Sequence, residues 1–274
     1  MSEIRYVKFH SNALKKLMAF SIYLPDTGNY SEKLPVLYFF HGRNGDEHFI
    51  GQLDVKGIAD KLIKEGTINP MIIVCPRMDN TRGLNTSDCS AKIFNDEMAI
   101  DVGRYEDYFI YEIIPYVEAH YPVLSDRSAR FVGGASAGGY ASVHYGLKYP
   151  ELFSRIGGHM PAIEKQLELA DLPYYGTEED FILNDPLRFK PFTNLHKEQS
   201  WYLDAGDCDE GGFNESVCIL SKLLNSRRIC CESHIFKGHH NMEYIDSNLE
   251  KYLIFYGKAF ENLSDAPVPT LRVD

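Results

Sequence analysis

The 274 residues carry a formal net charge of −11 at pH 7, and 44% of them are hydrophobic and 24% charged. Such a chain is long enough for one large α/β domain with a buried core. Its negative charge argues against nucleic acid or an anionic membrane as the main partner. No apolar run approaches the ~18 residues that span a bilayer.

The N-terminus and the cysteines bear on the cellular compartment. Residues 17–20 form the longest apolar run near the start, which is too short for the core of a signal peptide. We therefore expect the chain as given to be cytoplasmic, or to be a secreted protein trimmed of its signal. The six cysteines include no C-x-x-C pair, which disfavours zinc and redox motifs, and scattered free thiols fit a reducing compartment.

Apolar periodicity predicts alternating strands and helices along most of the chain. In chain order these are strand 19–24, strand 35–40, helix 53–64, strand 71–75, helix 105–120, a strand from 129, helix 140–149, strand 153–156, strand 201–203, helix 214–226, strand 231–236 and helix 246–260. This alternation predicts a largely parallel sheet covered by helices on both faces.

Two segments lack clear periodicity. The polar loop 77–95 is long enough to suggest a binding role. Residues 160–195 are interpreted as an insertion over the rim of the active site. Because no repeat or linker is evident, we predict a single domain over residues 1–274, with a loose C-terminal tail from about 264.

A short run of small residues separates a predicted strand from a predicted helix. It contains the pattern Gly134-x-Ser136-x-Gly138, which is typical of a nucleophile elbow, a sharp turn that lifts a hydroxyl above a sheet. A Cβ two residues before or after the serine would clash there. The alternative, a flexible glycine turn, is disfavoured by the strand before it and by the helix after it, which stops at Pro150.

The residues after Ser136 offer partners for such a nucleophile. A serine hydroxyl becomes reactive when a base takes its proton and a carboxylate orients that base. The chain supplies an acidic cluster and then a histidine pair, which is the Ser, Asp, His order of the α/β-hydrolase arrangement. Three residues remain candidates for the acid, namely Asp204, Asp207 and Asp209, and each could instead only shape the turn.

The histidine pair His239-His240 supplies the candidates for the base. Adjacent residues point in different directions, so only one of the two can face Ser136. The pair also suggests a metal site, but no third ligand stands at a recognisable spacing. We therefore predict neither a metal nor a cofactor.

An oxyanion hole and a substrate pocket can also be placed. Two backbone N–H groups must hold the oxyanion formed in acyl transfer. We predict that Ala137, directly after the nucleophile, and Arg43, in the loop after an early apolar strand, supply them. His159, Tyr174 and Tyr175 are predicted to contact the substrate, with a structural role as the alternative.

Several segments carry a family resemblance that spans nearly the whole chain. They are Tyr23-Leu24-Pro25, Leu34 to Tyr38 before His41-Gly42, Tyr105 to Tyr108, Glu112 to Tyr116, Gly134 to Tyr140, and Tyr149 to Phe153. In these the chain resembles the esterase D-like esterase family, which includes bacterial feruloyl esterases, enterobactin and trehalose esterases, and mycolyltransferases. The resemblance implies an α/β-hydrolase fold with a mostly parallel central sheet.

The resemblance also selects among the open candidates. In this family the acid follows a Gly-x-x-Asp turn, here Gly206 to Asp209, and the histidine precedes an aromatic-rich run. It therefore implies a triad of Ser136, Asp209 and His240. Two departures stand out: Ala137 replaces the Met or Gln often found there, and the tryptophan common near the histidine is absent. Details of the acyl pocket therefore do not carry over.

Together these patterns predict a serine carboxylester hydrolase that acts through an acyl-enzyme. The resemblance favours feruloyl, cinnamoyl or acetyl esters of carbohydrates, so the expected partner is a small-molecule or oligosaccharide ester. Two alternatives stay open. One is an acyltransferase of the mycolyltransferase type, and the other is a catalytically silent binding module on the same fold.

Overall fold

The chain is built around an eight-stranded sheet. The computed structural model describes residues 1–28, 33–94 and 98–258, so the tail predicted from about 264 lies outside the described residues. The strands are β1 (Glu3–Ser11), β2 (Lys16–Leu24), β3 (Val36–Phe40), β4 (Ile72–Pro76), β5 (Ala91–Phe94), β6 (Ala99–Val102), β7 (Arg130–Ala135), β8 (Arg155–His159), β9 (Ser200–Gly206) and β10 (Cys230–Phe236).

The order of strands in the main sheet is β1-β2-β4-β3-β7-β8-β9-β10. All pairings from β4 through to β10 are parallel, whereas β2 runs antiparallel to both of its neighbours. β5 and β6 pair separately as an antiparallel hairpin. The predicted mostly parallel sheet is therefore confirmed.

Helices connect the parallel strands. They are α1 (Phe49–Gln52), α2 (Val55–Lys64), α3 (Tyr105–Asp107), α4 (Ile114–His120), α5 (Ala137–Lys148), α6 (Glu178–Leu183), α7 (Asn194–Lys197), α8 (Phe213–Ser226) and α9 (Met242–Gly257). The helix predicted at 105–120 is a continuous helical run in which a π-helical stretch, Tyr108–Ile113, joins α3 to α4. Pro115 lies just beyond this stretch, and its lack of an N–H removes one α-helical hydrogen bond there. None of the described helices is long and apolar enough to cross a membrane.

The core lies on both sides of the central strands. Every residue of β3, β4, β7 and β8 is buried, which explains the continuous apolar sequences of β3 and β4. β1 was not among the predicted strands, because it is an edge strand with many exposed polar side chains. The predicted loop 77–95 contains β5, and residues 160–195 contain α6, the first two residues of α7 and short 3₁₀ turns.

This topology places the functional candidates at one edge. Arg43, Ser136, Asp209 and His240 follow the carboxyl ends of β3, β7, β9 and β10, which are parallel strands of one sheet. Loops at the carboxyl ends of parallel strands meet at the same edge, where α/β proteins bind their ligands. Four segments distant in sequence therefore converge on one surface.

Candidate active site

Ser136 lies at the turn between β7 and α5. Its backbone has φ +54° and ψ −115°, a conformation that few residues with a side chain adopt. A Cβ added to Gly134 would lie 2.6 Å from the carbonyl oxygen of Gly138, and one added to Gly138 would lie 2.4 Å from that of His41. Contacts this short are forbidden, so the turn requires both glycines.

The Ser136 hydroxyl is hydrogen-bonded to a histidine. Its Oγ lies 2.8 Å from Nε2 of His240, and Nδ1 of the same ring lies 2.8 Å from Oδ2 of Asp209. The His240 side chain is 20% exposed, whereas that of Asp209 is fully buried. The structure thus brings Ser136, His240 and Asp209 into one hydrogen-bonded line whose aspartate end is buried.

Backbone amides hold the Asp209 carboxylate in place. Its Oδ1 accepts hydrogen bonds from the N–H groups of Gly211 (2.9 Å) and Phe213 (3.4 Å), which leaves Oδ2 for the histidine. Asp207 accepts instead from the N–H of Gly238 at 3.0 Å, and so ties the end of β9 to the loop after β10. Asp204 is buried below the site. Only Asp209, of the three candidate acids, contacts His240.

The second histidine of the pair points away from the serine. Nδ1 of His239 lies 2.8 Å from Oε1 of Glu210, and Oε2 of Glu210 accepts the backbone N–H of His240 at 2.9 Å. The His240 amide, with His239, lowers the pKa of Glu210 to about 2. As a carboxylate, Glu210 therefore fixes the loop after β10 that carries His239 and His240, here called the histidine loop. The position of Glu210 directly after Asp209 did not reveal this role in the sequence.

The loop carrying Arg43 passes close to Ser136. A Cβ added to Gly42 would lie 3.2 Å from the Cβ of Ser136. His41 holds this loop, because its Nε2 accepts the N–H of Met78 at 2.9 Å and its Nδ1 then donates to the carbonyl of Gly42 at 2.8 Å. Burial lowers the pKa of His41, which favours the neutral ring that this pattern requires. Ala137 is the first residue of α5, where backbone N–H groups point away from the helix.

A cleft of about 860 Å³ opens over these residues. Besides Ser136 and His240, its walls include Arg43, Ala137, Arg82, Ala162, Glu164, Glu168, Asp171, Tyr174, Glu210, Gly211, Phe213, His239 and Asn241. Among its charged side chains, two are arginines and four are carboxylates. The cleft is therefore polar and acidic on balance.

A buried arginine organises one wall of the cleft. Arg82 binds the carbonyl oxygen of Ala162 and the carboxylate of Glu164, and its guanidinium lies 5.1–5.5 Å from three tyrosine ring centroids. These rings belong to Tyr140, Tyr174 and Tyr175. Burial, with the nearby Asp171 carboxylate, raises the pKa of Glu164 to about 7 against the opposing effect of Arg82. This carboxyl group can therefore change its charge near neutral pH.

The absence of periodicity in the sequence indicated the two segments that form this wall, but not which of their residues meet. Arg82 comes from the predicted loop 77–95, and Glu164 comes from the predicted insertion 160–195. Neither residue stands in a recognisable motif. Their pairing depends on contact between two segments, because the two residues lie 82 positions apart in the chain.

The structure corrects two of the three predicted substrate contacts. His159 is fully buried in the core and hydrogen-bonded to Asp204 and Tyr256. Tyr175 is 1% exposed, and its ring packs against Arg82 and Phe181. Neither residue is among those lining the cleft. Tyr174 does line it, although its hydroxyl is engaged with Asn80 at 2.9 Å.

Comparisons with known proteins identify the family. A family model described as "Putative esterase" matches residues 11–256. Among curated proteins, the chain is 28% identical over 157 residues to an esterase of Mycobacterium tuberculosis, covering 56% of this chain and 31% of that protein. It is 29% identical over 160 residues to an endo-1,4-beta-xylanase/feruloyl esterase of Xylanibacter ruminicola, covering 56% and 21%. The chain thus spans less than a third of the length of either relative.

Solved structures agree with this assignment at the level of fold. A ferulic acid esterase superposes with a TM-score of 0.78 at 22% identity, covering 93% of this chain and 98% of that one. The chain therefore belongs to this esterase family, a family of carboxylic ester hydrolases, and has the α/β-hydrolase fold.

Proposed function

We propose that this protein is a serine carboxylester hydrolase with a triad of Ser136, His240 and Asp209. The observation that carries the proposal is the line of two 2.8 Å hydrogen bonds from Ser136 Oγ through the His240 ring to Asp209 Oδ2. Asp209 is acceptor-only as a carboxylate, so it keeps the ring proton on Nδ1 and leaves Nε2 free to take the serine proton.

Acylation follows from this arrangement. Ser136 Oγ attacks the ester carbonyl carbon while its proton moves to Nε2 of His240. The carbonyl oxygen becomes negatively charged, and the N–H groups of Arg43 and Ala137 stabilise it. His240 then gives the proton to the departing alcohol oxygen, and the C–O bond of the ester breaks. The acyl group is left on Ser136.

Deacylation repeats the steps with water as the nucleophile. His240 takes a proton from a water molecule, which attacks the acyl-serine carbonyl, and the same two N–H groups hold the second oxyanion. Collapse of this intermediate releases the carboxylic acid and returns the proton to Ser136. Because the cleft is open to solvent, water reaches the acyl group directly, which favours hydrolysis over transfer to another alcohol.

We propose a feruloyl or acetyl ester of a carbohydrate as the substrate class. The relative from Xylanibacter ruminicola is named a xylanase/feruloyl esterase, and a ferulic acid esterase shares the fold. The cleft volume of about 860 Å³ exceeds the size of a hydroxycinnamoyl group. Its carboxylates suit sugar hydroxyls, which donate hydrogen bonds, and Tyr174 supplies an aromatic edge on the same wall.

A panel of esters tests this proposal. We expect hydrolysis of methyl ferulate, 4-nitrophenyl acetate and a feruloylated xylo-oligosaccharide, with the highest kcat/KM for one of the carbohydrate or hydroxycinnamate esters. Product analysis with added methanol or sugar measures the competing acyl transfer. No turnover of any ester would contradict the proposal, and transfer exceeding hydrolysis would move the protein to the acyltransferases.

The charge of Glu164 predicts a pH-dependent selectivity. Because the pKa of Glu164 is raised to about 7, the side chain is neutral below that pH and adds a negative charge to the cleft above it. A unit charge in a solvent-open cleft acts on a substrate carboxylate with about 1 kcal/mol. We therefore expect kcat/KM for the 4-nitrophenyl half-ester of adipic acid, relative to 4-nitrophenyl hexanoate, to fall by about fivefold between pH 5.5 and 8.5.

Measuring a ratio removes the pH effects that the two esters share, such as changes in the rate of the common proton-transfer steps. Glu164→Gln keeps the shape of the neutral side chain and should make the ratio independent of pH. Glu198→Gln is the matched control, since Glu198 is an exposed residue that does not line the cleft. A ratio that still falls in the Glu164→Gln variant would assign the effect to another group.

A further inference from the structure

A second hydrogen-bonded cluster lies in the core beneath the proposed triad. At its centre is the fully buried carboxylate of Asp204. Its Oδ1 accepts from Nδ1 of His159 at 2.8 Å, and its Oδ2 accepts from the hydroxyls of Tyr244 and Tyr252, both at 2.7 Å. Three donors on one buried carboxylate compensate for the loss of water around it.

One arm of this cluster reaches the backbone of the nucleophile. The hydroxyl of Tyr256 lies 3.1 Å from Nε2 of His159, so both ring nitrogens of that histidine are engaged. The carbonyl oxygen of His159 accepts the N–H of Ser136 at 3.0 Å. Asp204 also accepts the backbone N–H of Met160 through its own carbonyl oxygen. The end of β8, beside the elbow, is thereby fixed.

The other arm reaches the histidine loop. Tyr244 is in the first turn of α9, and its backbone N–H donates to Oδ1 of the helix cap Asn241 at 3.0 Å. A Cβ added to Gly238 would lie 2.8 Å from the Tyr244 ring, so this ring packs directly against the loop before His240. The Tyr244 side chain therefore lies under the loop and is anchored at its far end by Asp204.

We propose that Asp204 and Tyr244 are positioning residues that set the distance between His240 and Ser136. This rests on the proposed function. The cluster connects the end of β8, which holds the Ser136 backbone, to the first turn of α9, which follows His240. Proton transfer requires the histidine within hydrogen-bond reach of the serine, and a displacement of about 1 Å can lower the rate by about 10²-fold. Neither residue lines the cleft as described.

The two tyrosines on Oδ2 offer a matched test. Tyr244→Phe and Tyr252→Phe each remove one hydroxyl from the same carboxylate oxygen at the same 2.7 Å distance, and each keeps its ring. Only Tyr244 packs against the histidine loop, whereas Tyr252 is two turns further along α9 and stacks on His159 at 3.6 Å. We expect similar falls in Tm for the two variants.

The variants should separate in their kinetics. For Tyr244→Phe we expect kcat on 4-nitrophenyl acetate to fall about tenfold at unchanged KM, together with a similar fall in the rate at which a fluorophosphonate labels Ser136. For Tyr252→Phe both rates should stay within about twofold of wild type. The labelling rate reports activation of the serine without any need for ester binding.

Three outcomes would overturn the proposal. They are equal kinetic effects in the two variants, a change in KM alone for Tyr244→Phe, and a Tyr244→Phe protein that does not fold while Tyr252→Phe does. Failure of the proposed function is recognised separately, because wild-type protein would then hydrolyse no ester and Ser136 would not be labelled.

Discussion

Replacing Ser136 with alanine is expected to lower kcat for ester hydrolysis by about 10⁶-fold, the loss typical of a triad serine. No other hydroxyl of the described residues lies within hydrogen-bond distance of His240 Nε2. The remaining activity would come from water acting in the oxyanion hole. Steady-state kinetics on 4-nitrophenyl acetate, with mass spectrometry to detect the acyl-enzyme, measures both effects.

The same substitution should leave the fold intact. Ser136 is only partly buried, and its side-chain hydroxyl is hydrogen-bonded to His240. The backbone at residue 136 is held by bonds to His159, Tyr140 and Ala162, which do not involve the side chain. A Tm close to that of wild type is the control, and a folded variant retaining a tenth of wild-type activity would remove Ser136 from the mechanism.

Asp209→Asn is expected to lower kcat by about 10⁴-fold. The backbone amides of Gly211 and Phe213 both donate to Oδ1, so the carbonyl oxygen of an asparagine must occupy that position. Its NH₂ group then faces Nδ1 of His240 and makes that nitrogen an acceptor. The ring proton is moved to Nε2, which can no longer accept the proton of Ser136.

Asp207→Asn provides the matched control for the acid. Asp207 accepts a hydrogen bond from the N–H of Gly238 and makes no hydrogen bond with His240. An asparagine oxygen can accept the same hydrogen bond, so kcat should change by less than about threefold while the loop stays in place. Kinetics and Tm for both variants at pH 8 distinguish the two residues. A larger loss for Asp207→Asn would assign the acid to Asp207.

Local sequence was sufficient to predict the elements that leave a direct pattern in it. The glycines around Ser136 are required by contacts within a few residues and with the adjoining strand, so the pattern predicts the elbow directly. The continuously apolar segments 35–40 and 71–75 predicted buried parallel strands for the same reason, since a strand covered on both faces has no polar side to show. The edge strand β1 lacks such a pattern, because many of its side chains are polar and exposed to solvent.

Only the tertiary structure decided which polar residues meet. A sequence pattern does not distinguish Asp204, Asp207 and Asp209. In the structure, Asp204 lies buried in a tyrosine cluster, Asp207 binds the backbone of the loop after β10, and Asp209 contacts His240. His159 was predicted to reach the substrate but is enclosed by the core. Arg82 and Glu164 meet across the cleft without any motif. The direction and burial of a polar side chain depend on segments distant in the chain, so their partners follow from packing and not from spacing.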